Sequence, residues 1–265
     1  MTRPTALMPG HPSAAASRLC LLITCEHGGN RVPAAYAALF REQADLLTSH
    51  RGYDPGALTL ARELARSFHA PLIYATVSRL VVDLNRSLGH PRLYSEVTRP
   101  LPRRERQAIL ARHYLPYRRK VERWVEECIA AGQSVLHIAS HSFTPVLDGE
   151  VRRADVGLLY DPGRAGEKQL CLRWQNALRM RAPGLTVRRN YPYTGRSDGL
   201  TAWLRRRFPA ERYLGIELEV NQRLVFGPAG PWRALRLALR QSLADALSTV
   251  AGPQAVESCM RATKA

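Results

Sequence analysis

The chain has 265 residues, of which 45% are hydrophobic and 23% charged, enough for one large α/β domain with a sizeable core. No apolar stretch approaches the roughly 20 residues that a membrane-spanning helix needs, which excludes a membrane protein. The formal net charge of +17 would favour a nucleic-acid partner, but it comes almost entirely from arginines dispersed along the chain. We therefore expect the arginine-rich segments to be solvated helix faces, without nucleic acid as a partner.

Apolar runs and turn-forming residues alternate along the chain in a pattern of strands and helices. Pro116 falls within a long helical pattern and is expected to kink or split that helix. We predict strands over 19–25, 72–76, 79–84, 134–139, 155–160, 185–189 and 213–220, and helices over 33–47, 55–68, 103–131, 164–181, 197–207 and 230–249.

Strands that alternate with helices predict a mostly parallel sheet with helices on both faces, and therefore a single α/β domain. We place this domain at residues 19–250, after a disordered leader over 1–18 and before a flexible tail over 251–265. The leader has no apolar stretch long enough for a signal peptide. The five cysteines are odd in number and lack paired or zinc-type spacing, so we expect reduced thiols and a cytoplasmic protein.

Two histidines lie near the ends of predicted strands, where open α/β sheets bind ligands. His27 follows the first strand and precedes two glycines, and His141 follows a later strand between Ser140 and Ser142. The two serines are candidates to orient the His141 imidazole by hydrogen bonds. Two histidines and a carboxylate are a common ligand set for catalytic Zn²⁺. The pattern therefore predicts a divalent metal site.

The third metal ligand has three candidates near His27 in the sequence or the expected fold: Glu26, Asn30 and Asp54. Asp54 precedes a proline at the start of a helix, so an alternative role for it is to cap that helix. A carboxylate binds zinc better than an amide does, which disfavours Asn30. We predict Glu26 as the third ligand.

Glu217 and Glu219 alternate within an apolar strand, so both carboxylates face the same side of the sheet. A solvated sheet edge would explain them, but the proximity of two carboxylates also raises a pKa and suits a general base. We predict that one of the two deprotonates the attacking water and returns the proton to the departing amine.

A carboxylate-binding group is predicted from Asp83, Asn85 and Arg86. Arginine offers a rigid fork of donors that matches a carboxylate, asparagine adds a directed donor, and Asp83 would brace Arg86. An ordinary surface salt bridge is the alternative. Arg196, in the turn-rich segment 190–199, is a candidate for a second carboxylate, although a plain turn would also explain that segment.

Several of these segments resemble the N-formylglutamate amidohydrolase family, over about residues 21–225. The matching segments are Thr24-Cys25-Glu26-His27-Gly28-Gly29-Asn30-Arg31-Val32-Pro33, Asp54-Pro55-Gly56-Ala57, Ser78-Arg79-Leu80-Val81-Val82-Asp83-Leu84-Asn85-Arg86, Gly157-Leu158-Leu159-Tyr160-Asp161-Pro162 and Glu219-Val220-Asn221-Gln222.

The resemblance implies a phosphorylase/hydrolase-like three-layer α/β fold, as in the related zinc carboxypeptidases and aspartoacylases. It also implies hydrolysis of N-formyl-L-glutamate to formate and L-glutamate, a late step of histidine breakdown. His27, Asn85, Arg86, His141 and Glu219 fall in the order of that wider group's functional residues. Asn30 stands where the group has a glutamate ligand, which leaves the ligand set and the metal open.

The leading hypothesis is a zinc-dependent amidohydrolase that acts on a small N-acylated acidic amino acid, a small-molecule substrate with a carboxylate. A deacylase or peptidase of the same fold with another N-acyl amino acid or peptide as substrate is the first alternative. The alternative from another class is a basic nucleic-acid-binding domain, which would bind without metal and lose affinity steeply with salt.

Overall fold

The computed structural model describes residues 18–248, which form one α/β unit around a six-stranded sheet. Residues 1–17 of the predicted leader and all of the predicted tail lie outside the described residues. A 3₁₀ helix covers Ala34–Phe40, and a π-helical turn covers Leu110–Tyr114. The strands are β1 (Leu19–Cys25), β2 (Leu72–Tyr74), β3 (Ser134–Phe143), β4 (Val146–Leu147), β5 (Glu150–Val151), β6 (Val156–Leu159), β7 (Val187–Arg189) and β8 (Tyr213–Asn221), and the helices are α1 (Ala44–Thr48), α2 (Ala57–Ser67), α3 (Arg103–Ile109), α4 (Leu115–Ala130), α5 (Ala165–Arg181), α6 (Leu200–Arg207), α7 (Gln222–Phe226) and α8 (Ala229–Ser248).

The sheet has the strand order β2-β1-β3-β8-β6-β7 and is mostly parallel, as predicted. The one antiparallel pair joins β6 to β8, so the sheet is mixed. Strands β4 and β5 form a separate antiparallel hairpin directly after β3. Because β1, β3 and β8 are adjacent and parallel, the side chains at their carboxyl ends meet at one edge of the sheet.

Two apolar cores, one on each face of the sheet, confirm the predicted three-layer arrangement. On one face, α2, α5 and α8 pack against the sheet through residues such as Leu60, Trp174 and Leu239. On the other face, Val121 of α4 and Leu204 of α6 belong to the second core. Helices on both faces bury the central strands, which explains the apolar runs within those strands. No described helix has the combination of length and hydropathy that crossing a bilayer requires.

The strand predicted over 79–84 is wrong, because this apolar run is a buried loop. The Ser78 hydroxyl starts the loop by donating to the carbonyl of Gly52 and accepting from the amide of Leu80. The Thr98 hydroxyl lies near the carbonyls of Leu80 and Val81, at 3.3 and 3.0 Å. Side chains therefore satisfy the loop's polar backbone, so its apolar residues are buried without strand pairing.

The predicted break at Pro116 is present, and it takes the form of a π-helical turn. The turn occupies Leu110–Tyr114 and separates α3 from α4. Proline has no amide hydrogen and its ring crowds the carbonyl four residues earlier, so a regular α-helix cannot continue through it unchanged. The wider turn accommodates Pro116 and lets the two helices follow each other directly.

Candidate metal and catalytic site

The candidate site lies at the carboxyl ends of β1, β3 and β8. His27 follows β1 by two positions, and His141 lies within β3, which runs beyond the predicted 134–139 as far as Phe143. Glu219 of β8 is the register partner of His141, so the two side chains point to the same face of the sheet. The fold thus brings together the predicted histidines and one predicted carboxylate.

His27, Asp54 and His141 form a compact cluster that could hold a metal ion. Their candidate ligand atoms all lie within 4.8 Å of one another, and all three residues are buried. The Nδ1 atoms of His27 and His141 lie 3.3 and 2.9 Å from the same oxygen, Oδ2 of Asp54. The two imidazole centroids are 5.2 Å apart. Two nitrogens and one carboxylate oxygen are a donor set that fits catalytic zinc.

The outer nitrogen of each imidazole faces a further buried carboxylate. His27 Nε2 lies 2.8 Å from Asp83 Oδ1, and His141 Nε2 lies 3.1 Å from Glu26 Oε2. The second pair is within ion-pair distance but lacks hydrogen-bond geometry. Such outer carboxylates hold a metal-binding histidine in one orientation and raise its basicity. The placement therefore favours Asp54, rather than the predicted Glu26, as the third ligand.

Neither the helix-capping role considered for Asp54 nor the metal-binding role considered for Asn30 is observed. The N-cap position of α2 is Gly56, and no side chain caps that helix, so Asp54 does not act as its cap. The Asn30 side chain donates to the carbonyl of Leu47 at 3.2 Å, a structural contact rather than a metal contact.

Arg79 is the site residue that sequence reasoning missed. Its Nη1 donates to Asp54 Oδ1 at 3.3 Å and its Nη2 to Asp83 Oδ2 at 2.7 Å. The Arg79 guanidinium thus joins two carboxylates: that of Asp54, which contacts both histidines, and that of Asp83, which contacts Nε2 of His27. Arg79 stood in one of the segments that resemble the family, but it is the first residue of the run 79–84 that was expected to be a strand, and no carboxylate partner was apparent there.

The serines beside His141 position the backbone rather than the imidazole. Ser140 Oγ donates to the carbonyl of Ala57 at 3.0 Å, and Ser142 Oγ donates to the carbonyl of Pro55 at 2.8 Å. These hydrogen bonds fasten the start of α2 to β3. They therefore fix Asp54 relative to His141, and the expected serine–imidazole contacts are replaced by this role.

The charges around the cluster shift the pKa values of its members. Burial alone would lower the pKa of each histidine, but nearby carboxylates raise it: Asp83 and Asp54 for His27, and Asp54 and Glu26 for His141. The pKa of Asp54 is lowered despite its burial, because the imidazoles stabilise its ionised form. Protons and a metal ion compete for the same ring nitrogens, so metal affinity at this site should increase with pH.

Glu219 has the properties of a general base. It is 6% exposed, and its Oε2 has no hydrogen-bond partner among residues 18–248. Burial, assisted by the charges of Asp54 and Glu217, raises the pKa of Glu219 to about 7. Glu217 is already engaged, since its Oε1 accepts a hydrogen bond from Thr201 Oγ1 at 2.7 Å. Of the two predicted carboxylates, Glu219 is therefore the one available for proton transfer near neutral pH.

Asp83, Asn85 and Arg86, which were predicted to form one carboxylate-binding group, have different partners in the structure. Asp83 hydrogen-bonds to His27 and Arg79 instead of bracing the Arg86 side chain. Asn85 Oδ1 accepts from the amide of Leu200 at 2.6 Å, which satisfies a free donor at the start of α6. Arg86 Nη1 donates to a backbone carbonyl at 2.8 Å, and its Nε is buried without an acceptor in the described part of the chain.

Arg196 does not point to a second carboxylate of a substrate. Its side chain is 62% exposed, and its Nε donates to Asp161 Oδ1 at 2.8 Å. An exposed ion pair of this kind is ordinary surface chemistry. The role predicted for Arg196 therefore has no support from its position.

Comparisons with known proteins identify relatives of this chain by family and by fold. A gene product of Agrobacterium tumefaciens is 34% identical with a TM-score of 0.72, over 89% of this chain and 93% of that one. The N-formylglutamate amidohydrolase of Ralstonia eutropha JMP134 has the same fold, with 22% identity and a TM-score of 0.64, over 88% of this chain and 96% of that one. The search of curated proteins found no significant match. The family model described as N-formylglutamate amidohydrolase matches residues 19–226, and the chain therefore belongs to the N-formylglutamate amidohydrolase family.

Proposed function

We propose that this hydrolase of non-peptide carbon–nitrogen bonds is metal-dependent and converts N-formyl-L-glutamate and water to formate and L-glutamate. The observation that carries the proposal is the buried cluster of His27, Asp54 and His141 with Glu219 on the same sheet face as His141. The family match supports the reaction class, and the cluster supports the dependence on metal.

The residues of the cluster have distinct tasks in this proposal. His27, Asp54 and His141 would hold a divalent ion, with zinc expected from the donor set. Such an ion, when bound, acidifies water and polarises the amide carbonyl. Asp83 and Glu26 hold the two imidazole rings in orientation through their outer nitrogens.

Glu219 moves the proton in the proposed mechanism. Its ionised form takes a proton from the attacking water, whose oxygen forms a bond to the formyl carbon. The carbon–nitrogen bond then breaks, and the protonated Glu219 returns its proton to the departing nitrogen. A pKa of about 7 matches both tasks, because the group can accept and donate near neutral pH.

Arg86 is the proposed anchor for the α-carboxylate of the substrate. Its Nε is buried without an acceptor among the described residues, which leaves one strong donor for a ligand. One Nη is already fixed by the backbone carbonyl of Asp198, so the guanidinium is held in place before the ligand arrives. Asn85 Oδ1 accepts a hydrogen bond from the first residue of α6. The side-chain NH₂ group of Asn85 is assigned to the same substrate carboxylate as Arg86.

The first prediction concerns metal removal. The purified protein should contain a divalent ion, chelation should abolish release of glutamate from N-formyl-L-glutamate, and added Zn²⁺ should restore it. Metal analysis by mass spectrometry and a glutamate assay before and after chelation measure this. Bound metal without turnover would redirect the search to other N-acyl amino acids or peptides, and turnover that survives complete metal removal would contradict the mechanism.

The second prediction concerns Arg86. Arg86→Ala should raise KM for N-formyl-L-glutamate by roughly 10- to 100-fold with a smaller change in kcat, because a charge-assisted hydrogen bond is lost on binding. Steady-state kinetics at saturating metal measure both constants. Arg196→Ala is the matched control, since that arginine is an exposed partner of Asp161 and should leave KM unchanged. Equal KM values in the two variants would remove Arg86 from the site.

The cytoplasmic location, the part in histidine breakdown and the exclusion of nucleic acid remain predictions. The substrate alternatives, another N-acyl amino acid or a peptide, are tested by the same assay with a panel of such compounds.

A further inference from the structure

Arg152 occupies a fixed position just beyond the metal cluster. It directly follows the β4–β5 hairpin. Two residues separate the start of this hairpin from the end of β3, the strand that carries His141. Its amide donates to the carbonyl of Pro145 at 2.8 Å, and its carbonyl accepts from Asn221 Nδ2 at 2.9 Å. The backbone of Arg152 is therefore held on both sides by residues that adjoin the ends of β3 and β8.

The Arg152 guanidinium lies over two aromatic rings. It is 6.0 Å from the ring centre of Phe143 and 5.0 Å from that of Tyr193, and Nη1 donates to the Tyr193 hydroxyl at 3.0 Å. Phe143 follows His141 by two positions on β3, so both side chains share one face, roughly 7 Å apart along the strand. The rings thus hold the guanidinium on the same side of the sheet as the candidate catalytic residues.

The charges of Arg152 and of Arg79 both act on His50. The pKa of His50 is lowered, first by partial burial and then by the charges of Arg51, Arg79 and Arg152. Arg79 in turn contacts the carboxylate of the metal cluster. Arg152 therefore acts on the same histidine as an arginine that contacts the cluster.

Arg152 has no carboxylate partner within residues 18–248, unlike three other arginines of this part of the fold. Arg79, Arg196 and Arg223 each form an ion pair with an aspartate. Arg152 forms none with the described residues, and only one of its guanidinium nitrogens has a protein acceptor there. A fixed guanidinium with free donors is the group that best recognises a carboxylate through two parallel hydrogen bonds.

We infer that Arg152, steadied by Tyr193, binds the side-chain carboxylate of the N-acylated dicarboxylic amino acid that the proposed function takes as substrate. The inference deepens the proposed function and rests on it, because Arg86 is taken to bind the α-carboxylate of the same molecule. Arg152 thereby takes the role that was predicted for Arg196. Arg152 is a specificity-determining residue and takes no part in bond cleavage.

The test compares Arg152→Met with Arg188→Met in the metal-loaded enzyme. Methionine keeps an unbranched apolar side chain over the rings but removes the charge. Arg188 is a matched control, because its guanidinium also lies over a tyrosine ring, at 5.1 Å from Tyr191, but on the exposed outer strand β7. Kinetics with N-formyl-L-glutamate and its neutral analogue N-formyl-L-glutamine give the first measurement, and calorimetric binding of L-glutamate and L-glutamine gives the second.

Arg152→Met should raise KM for N-formyl-L-glutamate roughly 10- to 100-fold and leave KM for N-formyl-L-glutamine within about twofold of the wild-type value. The preference for L-glutamate over L-glutamine in binding should fall by the same factor. Arg188→Met should change neither quantity. Tyr193→Phe should weaken the preference by a smaller factor, since it removes only the hydroxyl that holds Nη1.

The possible outcomes separate this inference from the proposed function. Glutamate binding that depends on Arg152 supports the inference even if no formylated compound is hydrolysed, in which case only the proposed reaction fails. Turnover of N-formyl-L-glutamate with the same KM in Arg152→Met and wild type overturns the inference and keeps the reaction. A wild-type enzyme without preference for glutamate over glutamine also overturns it, as does an equal loss for both compounds.

Discussion

Asp54→Asn should remove the metal from the protein, whereas Glu26→Gln should leave most of it bound. Asp54 offers one oxygen to both imidazole Nδ1 atoms, so its amide variant loses the only carboxylate in the three-residue cluster. We expect metal affinity to fall by more than about 100-fold. Substitution of a residue that only contacts a metal ligand typically lowers affinity by roughly 10- to 100-fold. Turnover at limiting metal should fall in parallel.

The comparison with Glu26 decides between the two candidate ligands. Glu26 Oε2 lies at the outer nitrogen of His141, and its Oε1 accepts a hydrogen bond from Tyr117 at 2.7 Å. Glu26→Gln keeps the size of this side chain, and its metal affinity should fall by no more than about 100-fold. Competition with a chromogenic chelator measures both affinities, and thermal unfolding of the metal-free proteins shows whether each variant is folded. A greater loss in Glu26→Gln than in Asp54→Asn would reverse the ligand assignment.

Glu219→Gln should reduce kcat by about 10²- to 10⁴-fold while the protein keeps its metal, since the amide can neither accept nor return the proton. Glu217→Gln is the matched control on the same strand face, where the carboxylate already accepts a hydrogen bond from Thr201. Its kcat should change far less. Metal analysis alongside kinetics separates proton transfer from metal binding, and an unchanged kcat in Glu219→Gln would eliminate it as the base.

The pH dependence of activity is an independent test of Glu219 as the general base. The base must be ionised, so activity should fall as the pH falls through the pKa of Glu219. Burial raises that pKa to about 7 in the metal-free protein, and a bound cation lowers it, so the midpoint of the acid limb should lie at or below about 7. The residual activity of Glu219→Gln should lack this limb. A limb that persists unchanged in the variant belongs to another group.

The layers of the fold and the meeting of the histidines were predictable because they depend on regular patterns. Alternating strands and helices place polar residues at one sheet edge, and His27 and His141 both follow apolar runs. The choice between Glu26 and Asp54 was not predictable in the same way. It depends on which nitrogen of each imidazole faces which carboxylate, and adjacency in the sequence does not determine this.

Irregular backbone explains the other differences. The apolar run before Asp83 has the composition of a strand, but serine and threonine side chains from elsewhere satisfy its carbonyls, so it forms a loop. That loop places Arg79 and Asp83 beside His27, an arrangement that strand periodicity could not indicate. The position of Arg152 likewise depends on a hairpin and on contacts of its guanidinium with two aromatic rings, Phe143 and Tyr193, that are distant in the sequence.

The three candidate ligands come from separate parts of the sequence, but hydrogen bonds join their backbones. The amide of Asp54 donates to the carbonyl of His27 at 2.9 Å, and Ser140 and Ser142 fasten the residues after Asp54 to the strand of His141. The chain thus loses the conformational entropy of these segments when it folds. An ion that binds meets a rigid frame, and selectivity among metals is then determined by the spacing of that frame rather than by adjustment around the ion.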